Sequence, residues 1–297
     1  MDDARQGTPT RIIVLGAERS GTSVVTEMVH RWGAYAGEPD QLTGPSEHSP
    51  QGQWEWKPLW DLLVEVGDLD SGHSWWDADF QEHIAAKLRV PEIRGKAANL
   101  VAEMDYAGRP WVWKDPALCH FLPFWTPIWG DAVYVITVRH PYDVARSWQR
   151  FALPAQGQES VDLVPCNLLR WQHMMRMVLR ATAGTDRRLF VEYEACVRQP
   201  QMQARRLARF LDEQRRGKSA DKQTLLAMAQ AVNPAFWRNR TERPPTEIAE
   251  VTPAQRALYA FLRAKLIDAG AEPSAGFPMP PGWREFVRHA EAMEALD

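Results

Sequence analysis

Short apolar runs alternate with amphipathic stretches along this chain. Residues 12–15, Ile-Ile-Val-Leu, form a β-like run that opens at Arg11, and a helical pattern follows over about 22–32. Helical periodicity returns near 57–66 and over 81–104, the latter interrupted at Pro91. A brief strand is predicted at 111–113 and further strands at 133–138 and 188–193. Amphipathic helices are predicted at 167–183, 200–211 and 253–268, with a last one near 282–295. Between them lie a polar, Gly/Pro-rich segment at 37–53, a charged surface loop at 212–221 and a proline-rich break at 270–281. The 37–53 segment is too long for a simple connection and reads as a functional loop. Strands alternating with helices predict an α/β, three-layer fold: a central, mostly parallel sheet flanked by helices. The expected organisation is a single domain over 8–297, helical from about residue 220 onward.

The first connection carries chemistry. After the apolar run comes Gly-Ala-Glu-Arg-Ser-Gly-Thr-Ser, residues 16–23, leading into a helix. A glycine-bounded loop between a strand and a helix N-terminus aims backbone N–H groups at an anion. Aligning Gly16 and Gly21 with the glycines of Gly-x-x-x-x-Gly-Lys-Ser/Thr puts Thr22 in the lysine's place. A triphosphatase needs that lysine on the β- and γ-phosphates. Here the cation is Arg19, inside the loop, so a magnesium triphosphate is poorly served.

A second anion-binding pattern lies at 133–148. An apolar, β-branched run ends at Arg139; Pro141 suits a helix's first turn, Asp143 is an acid near its N-terminus, and Ser147 follows Arg139 by eight residues. A forked guanidinium plus a hydroxyl suits a dianionic phosphate.

With these two elements in this order, the chain resembles the sulfotransferases that use 3′-phosphoadenosine 5′-phosphosulfate (PAPS), in their bacterial branch. Arg19-Ser20-Gly21-Thr22-Ser23 is similar to the family's 5′-phosphosulfate loop, and Arg139 through Ser147 to its 3′-phosphate motif. Gly52-Gln53-Trp54-Glu55, Trp113-Lys114-Asp115-Pro116, Leu122-Pro123-Phe124-Trp125 and Val191-Glu192-Tyr193-Glu194 resemble further family segments, and 206–211 the helix after the last. The resemblance spans residues 11 to about 240. It implies a P-loop sulfotransferase fold, PAPS as donor and adenosine 3′,5′-bisphosphate as product. It places the 5′-phosphosulfate at Arg19, Ser20, Gly21, Thr22 and Ser23, the 3′-phosphate at Arg139 and Ser147, and the adenine near Tyr193. Two departures stand out. Ala117 replaces an arginine common after Lys-Asp-Pro, and no late Arg-Lys-Gly is present, leaving Arg238 or Arg240 to complete the 3′-phosphate shell.

Sulfuryl transfer asks a protein for positioning, charge stabilisation and removal of the acceptor proton, and requires no metal. Lys114, at a strand's carboxyl end where ligands of such sheets bind, is the candidate electrophilic residue, set against a plain salt bridge to Asp115. Glu55 is the first candidate for the base. His48 and Glu47 in the same loop, and Glu38 at its start, are the other candidates. Of the fourteen tryptophans, Trp54, Trp56, Trp60, Trp75 and Trp76 cluster where an acceptor pocket is expected. Most are assigned to the core and one or two to a pocket mouth.

Composition narrows the rest. Apolar residues are 45% and charged ones 25%, as in ordinary globular proteins. A net charge of −3 gives no global attraction to nucleic acid or anionic membrane, and mildly disfavours a polyanionic sugar acceptor. The three dispersed cysteines form no disulfide framework and the eight histidines no zinc spacing. An acidic, polar N-terminus is unlike a signal peptide, and no apolar stretch nears the roughly 18 residues a membrane span needs. A cytoplasmic enzyme is expected, with a small-molecule or glycan acceptor, no nucleic-acid partner, and a homodimer left open. The acceptor hydroxyl, or less readily amine, belongs to a secondary metabolite, glycan, lipid, phenol or peptide tyrosine. A P-loop kinase of small metabolites and a non-catalytic nucleotide-binding regulator stay open as alternatives.

Overall fold

The structure is a computed structural model that describes residues 8–45, 52–152, 162–215 and 219–267. Four strands form its sheet: β1 (Arg11–Leu15), β2 (Trp111–Lys114), β3 (Val133–Val138) and β4 (Arg188–Glu192). Their order is β2-β1-β3-β4, and every neighbouring pair is parallel. The helices are α1 (Thr22–Trp32), α2 (Lys57–Gly67), α3 (Phe80–Lys87), α4 (Pro91–Tyr106), α5 (Leu118–Trp129), α6 (Pro141–Ala152), α7 (Val164–Ala181), α8 (Tyr193–Arg198), α9 (Pro200–Arg215), α10 (Lys222–Gln230) and α11 (Pro253–Ile267).

Strand side chains alternate between faces, and each face is buried against helices, which is why the strands read as continuous apolar runs. Ile12, Val14, Val133, Val135 and Val191 pack with Val25, Met28 and Val29 of α1 and with apolar residues of α8, α9 and α10. Ile13, Leu15, Tyr134, Ile136 and Val138 pack on the other face with α2, α4, α5, α7 and α11. Tryptophans fill that second layer. Trp113 lies 4.8 Å from Trp111, 5.2 Å from Trp125, 5.7 Å from Trp56 and 6.5 Å from Trp129, centroid to centroid. Trp56 and Trp76 are buried and so belong to the core.

The three-layer expectation matches this arrangement, with one local correction. The 212–221 segment is not wholly a loop. α9 continues to Arg215, because Asp212 accepts from the Trp32 indole at 3.0 Å and ties that turn to α1. The interruption expected at Pro91 within 81–104 is present: α3 ends at Lys87, and Pro91 opens α4, where its missing N–H costs nothing. The predicted helix at 282–295 and the break at 270–281 lie outside the described residues.

The strand order sets the site. From β1 the chain enters α1 on one face, and from β3 it enters α6 and then α7 on the other. The connections leaving β1 and β3 therefore diverge, and a crevice opens at the carboxyl ends of these adjacent strands.

Candidate active site

The loop after β1 is held from beneath by hydroxyls. Ser20 Oγ donates to the Ala17 carbonyl at 2.5 Å and sits 2.7 Å from Thr137 Oγ1 of β3, which itself donates to the Leu15 carbonyl. Ser20 is fully buried, so its side chain braces the loop on the sheet. Arg19 adopts φ 63° and Gly21 φ 90°, both left-handed. Such a conformation costs a non-glycine residue free energy and recurs at binding loops. The ring of Tyr193 lies where a Cβ on Gly21 would project, so only glycine fits between that ring and the start of α1.

The second pattern arrives from β3. Arg139 is buried, and its Nη1 donates to the Arg19 carbonyl at 2.8 Å while its Nη2 donates to the Asn239 carbonyl at 2.7 Å. Its guanidinium lies 4.6 Å from the Tyr193 ring centroid. Arg139 Nε is buried without a hydrogen-bond partner among the described residues. From α6, Ser147 Oγ accepts from Arg19 Nε at 3.2 Å. Burial, then the nearby Arg139, and more weakly Arg238, lower the pKa of Arg19, with Glu18 opposing. Arg19 and Arg139 thus converge in one crevice, an arrangement that suits an anion.

A segment far along the chain closes this side. Asp143 Oδ2 accepts from the Thr241 N–H at 3.2 Å, which with the Asn239–Arg139 bond fixes residues 239–241 over α6. Burial raises the Asp143 pKa, and Arg139 opposes that rise. Arg238 lines the crevice, whereas Arg240 lies over the Trp237 ring at 5.7 Å and is not among the lining residues.

The opposite side is built on β2 and the segment before α2. Lys114, 3% exposed, donates to Glu55 Oε1 at 2.6 Å and to the Gln53 carbonyl at 2.9 Å. That carbonyl also accepts from Ser23 Oγ at 3.1 Å, so one backbone oxygen joins the loop of β1 to the end of β2. The partner of Lys114 is thus Glu55 and not Asp115. Asp115 accepts from the Ala117 N–H at 2.8 Å; burial first, then the charge of Glu55, push its pKa up to about 7, with Lys114 opposing. Glu38 accepts from the Tyr35 hydroxyl at 2.9 Å and is not among the crevice-lining residues. His48 and Glu47 lie outside the described residues.

These parts line one cleft of about 640 Å³. Arg19, Gly21, Thr22, Ser23, Arg139, Ser147, Tyr193, Lys114 and Glu55 all face it, and Ser20 does not. Its outer wall is aromatic, formed by Trp54, Trp60, Trp75 and Trp148, of which Trp60 is 39% exposed and open to a ligand. Trp148 and Glu18 had escaped the sequence reading. The Trp148 indole donates to Glu18 Oε2 at 2.7 Å, and Arg170 stacks on Trp148 at 3.9 Å, so the wall is tied to the loop after β1. Trp148 stands beside Ser147 on α6, and that adjacency was the available signal. Asn239 acts through a backbone carbonyl, which no side-chain motif reveals.

Solved structures of similar shape include a sulfotransferase domain from the curacin biosynthetic pathway, at TM-score 0.49 and 16% identity over 86% of this chain and 98% of that one. Another is a sulfotransferase domain from the Synechococcus PCC 7002 olefin synthase, at TM-score 0.47 and 20% identity over 96% and 95% of the two chains. A Mycobacterium avium sulfotransferase aligns at TM-score 0.47 and 15% identity, over 88% of this chain and 77% of its own. No curated protein matches the chain. The sequence model of the sulfotransferase family matches residues 9–216, the stretch that carries the loop after β1, Glu55, Lys114 and Arg139 through Ser147. The chain belongs to the sulfotransferase family.

Proposed function

We propose that this protein transfers a sulfuryl group from PAPS to an acceptor hydroxyl bound against the tryptophan wall. One observation carries the reading. Two anion-binding elements about 120 residues apart are joined by the Arg139–Arg19 and Arg19–Ser147 hydrogen bonds in a single cleft. The residues present fit the donor. Arg139 has a buried Nε without a hydrogen-bond partner among the described residues, and Arg19 and Gly21 hold the loop after β1 in left-handed conformations along the lining of the cleft. The loop amides, Arg19 and the Thr22 and Ser23 side would hold the 5′-phosphosulfate. Arg139, Ser147 and Arg238 would hold the 3′-phosphate, and Tyr193 would lie near the base.

When bound, the donor supplies an activated sulfuryl group on its 5′-phosphate. The protein's part is electrostatic and protonic. Lys114 donates to Glu55 and to the Gln53 carbonyl at the edge of the cleft, where its ammonium can meet negative charge on a leaving phosphate. Glu55 faces the same cleft and takes the proton of the acceptor hydroxyl. Once protonated, Glu55 loses its ionic hold on Lys114, which frees the ammonium as charge appears beside it. Thr22 stands where a nucleotide triphosphatase carries lysine, which argues against a kinase.

The test is a mass-spectrometric screen. The purified chain is incubated with PAPS and a panel of hydroxylated acceptors, and both the sulfated product and adenosine 3′,5′-bisphosphate are read. Product that depends on PAPS and enzyme supports the proposal. No binding of PAPS or the bisphosphate, with binding of magnesium-ATP instead, would overturn it in favour of a kinase.

A further inference from the structure

Outside the cleft, the turn between α2 and α3 gathers a group of side chains that the proposed reaction does not use. Asp68 caps the C-terminus of α2 in the left-handed region, at φ 49° and ψ 38°. The chain makes one short 3₁₀ turn, passes Gly72 at φ 87°, and returns so that the His73 N–H reaches the Asp68 carbonyl at 3.4 Å. α3 then brings His83 back over the same point. His83 Nε2 lies 2.9 Å from Asp68 Oδ2, and the His73 and His83 rings are 4.4 Å apart, centroid to centroid. One carboxylate oxygen and one nitrogen from each imidazole lie within 4.8 Å of one another. All three residues are half-buried, so they are reachable from solvent yet held by the fold.

We propose that Asp68, His73 and His83 form a binding site for a divalent transition metal, Zn²⁺ above all. Two imidazoles and a carboxylate are the donor set that suits zinc and its neighbours, and not the all-oxygen shell of magnesium or calcium. Three protein ligands leave room for water to complete a tetrahedral shell. Bond lengths near 2.0–2.1 Å put the ligand atoms of such a shell roughly 3.3 Å apart. The cluster must therefore tighten, and His73, which follows Gly72 at φ 87°, is the ligand the proposal requires to move.

Lys87 is the competitor. Its ammonium lies 2.6 Å from Asp68 Oδ2 and neutralises the carboxylate that the metal would use. The metal either takes the second oxygen or displaces the lysine. The site does not depend on the proposed sulfuryl transfer, and its test reads metal directly. Two residues after His73, however, comes Trp75 of the cleft wall, so a bound ion would stiffen the segment that carries it.

The experiment uses the full chain without an affinity tag, freed of metal by chelation. Zn²⁺ binding is measured by calorimetry, and Co²⁺ binding by its visible absorption, in wild type, His73→Gln, His83→Gln and Lys87→Gln. We expect one equivalent of Zn²⁺, a tetrahedral Co²⁺ spectrum, and a loss of affinity of about tenfold or more in either histidine variant, since even outer-shell changes cost that much. Lys87→Gln should bind more tightly than wild type. Thermal melts of the metal-free variants show that each is folded. Absence of stoichiometric Zn²⁺ binding in wild type, or equal binding in folded His73→Gln, overturns the proposal and leaves these residues as a salt-bridge clasp between α2 and α3.

Discussion

Lys114→Met deletes the ammonium at the end of β2 while keeping an unbranched side chain of similar length. In the native chain that ammonium lies 2.6 Å from Glu55 Oε1 and 2.9 Å from the Gln53 carbonyl. The Lys114 side chain is 3% exposed and that of Glu55 20%. Removing one partner of a fully buried pair costs roughly 3–5 kcal/mol. The water that reaches Glu55 places this pair lower, near the value of about 1.5–3 kcal/mol for a hydrogen bond to a charged group. Lys114→Met should lose about that much folding stability. Glu55→Gln should lose less, about 1 kcal/mol, because its amide oxygen still accepts from the ammonium. Urea unfolding of wild type, both single variants and the double variant then gives the coupling directly, expected at about 1–3 kcal/mol.

Turnover separates the two roles. If Glu55 removes the acceptor proton, Glu55→Gln lowers turnover by about two orders of magnitude or more and leaves bisphosphate affinity nearly intact. Lys114→Met should slow transfer more than it weakens donor binding, since its charge matters most as the leaving oxygen gains charge. A coupling under about 0.5 kcal/mol, as for independent sites, would refute the pair. Normal turnover of Glu55→Gln would refute its role as base.

Two further outcomes test the frame around this pair. Gly21→Ala should cost about 1–2 kcal/mol of left-handed strain and displace Tyr193, lowering bisphosphate affinity and melting temperature together; full retention of both would show the loop to be a plain turn. Asp115, raised from 3.8 to about 7, stabilises the fold fully at pH below its unfolded value, and that contribution fades as pH rises through about 7. Asp115→Asn can still accept from Ala117 and should therefore lose less stability than wild type between pH 5 and pH 8 in urea titrations; parallel pH profiles would contradict the burial argument.

What could be read in advance followed from how local the signal was. β3, α1 and most of α2, α7 and α11 carry their own periodicity and appear where the pattern placed them. α5 did not, for two reasons. It is apolar on nearly every side, being wedged between the sheet and α3, α4 and α7, and it contains Pro123 and Pro127, which normally end helices. Site residues divide in the same way. Arg19, Arg139, Ser147 and Tyr193 lie in local motifs, and the cleft brings them together. The Lys114–Glu55 pair joins positions 59 residues apart, and Ser20 turns inward to lie 2.7 Å from the hydroxyl of Thr137 on another strand. Neither contact has a local signature.

The most direct test of the central claim is calorimetry of the wild-type chain with adenosine 3′,5′-bisphosphate and with AMP, in the same buffer. The two ligands differ by the 3′-phosphate that Arg139 and Ser147 would hold, and they share the rest of the site. A charge-assisted contact of about 1.5–3 kcal/mol corresponds to roughly 10- to 150-fold tighter binding of the bisphosphate. Arg139→Ala should collapse that ratio; because both ligands would share any general damage to the fold, the ratio isolates the 3′-phosphate contact. Equal affinities in the wild type, or a ratio that survives Arg139→Ala, would contradict the account.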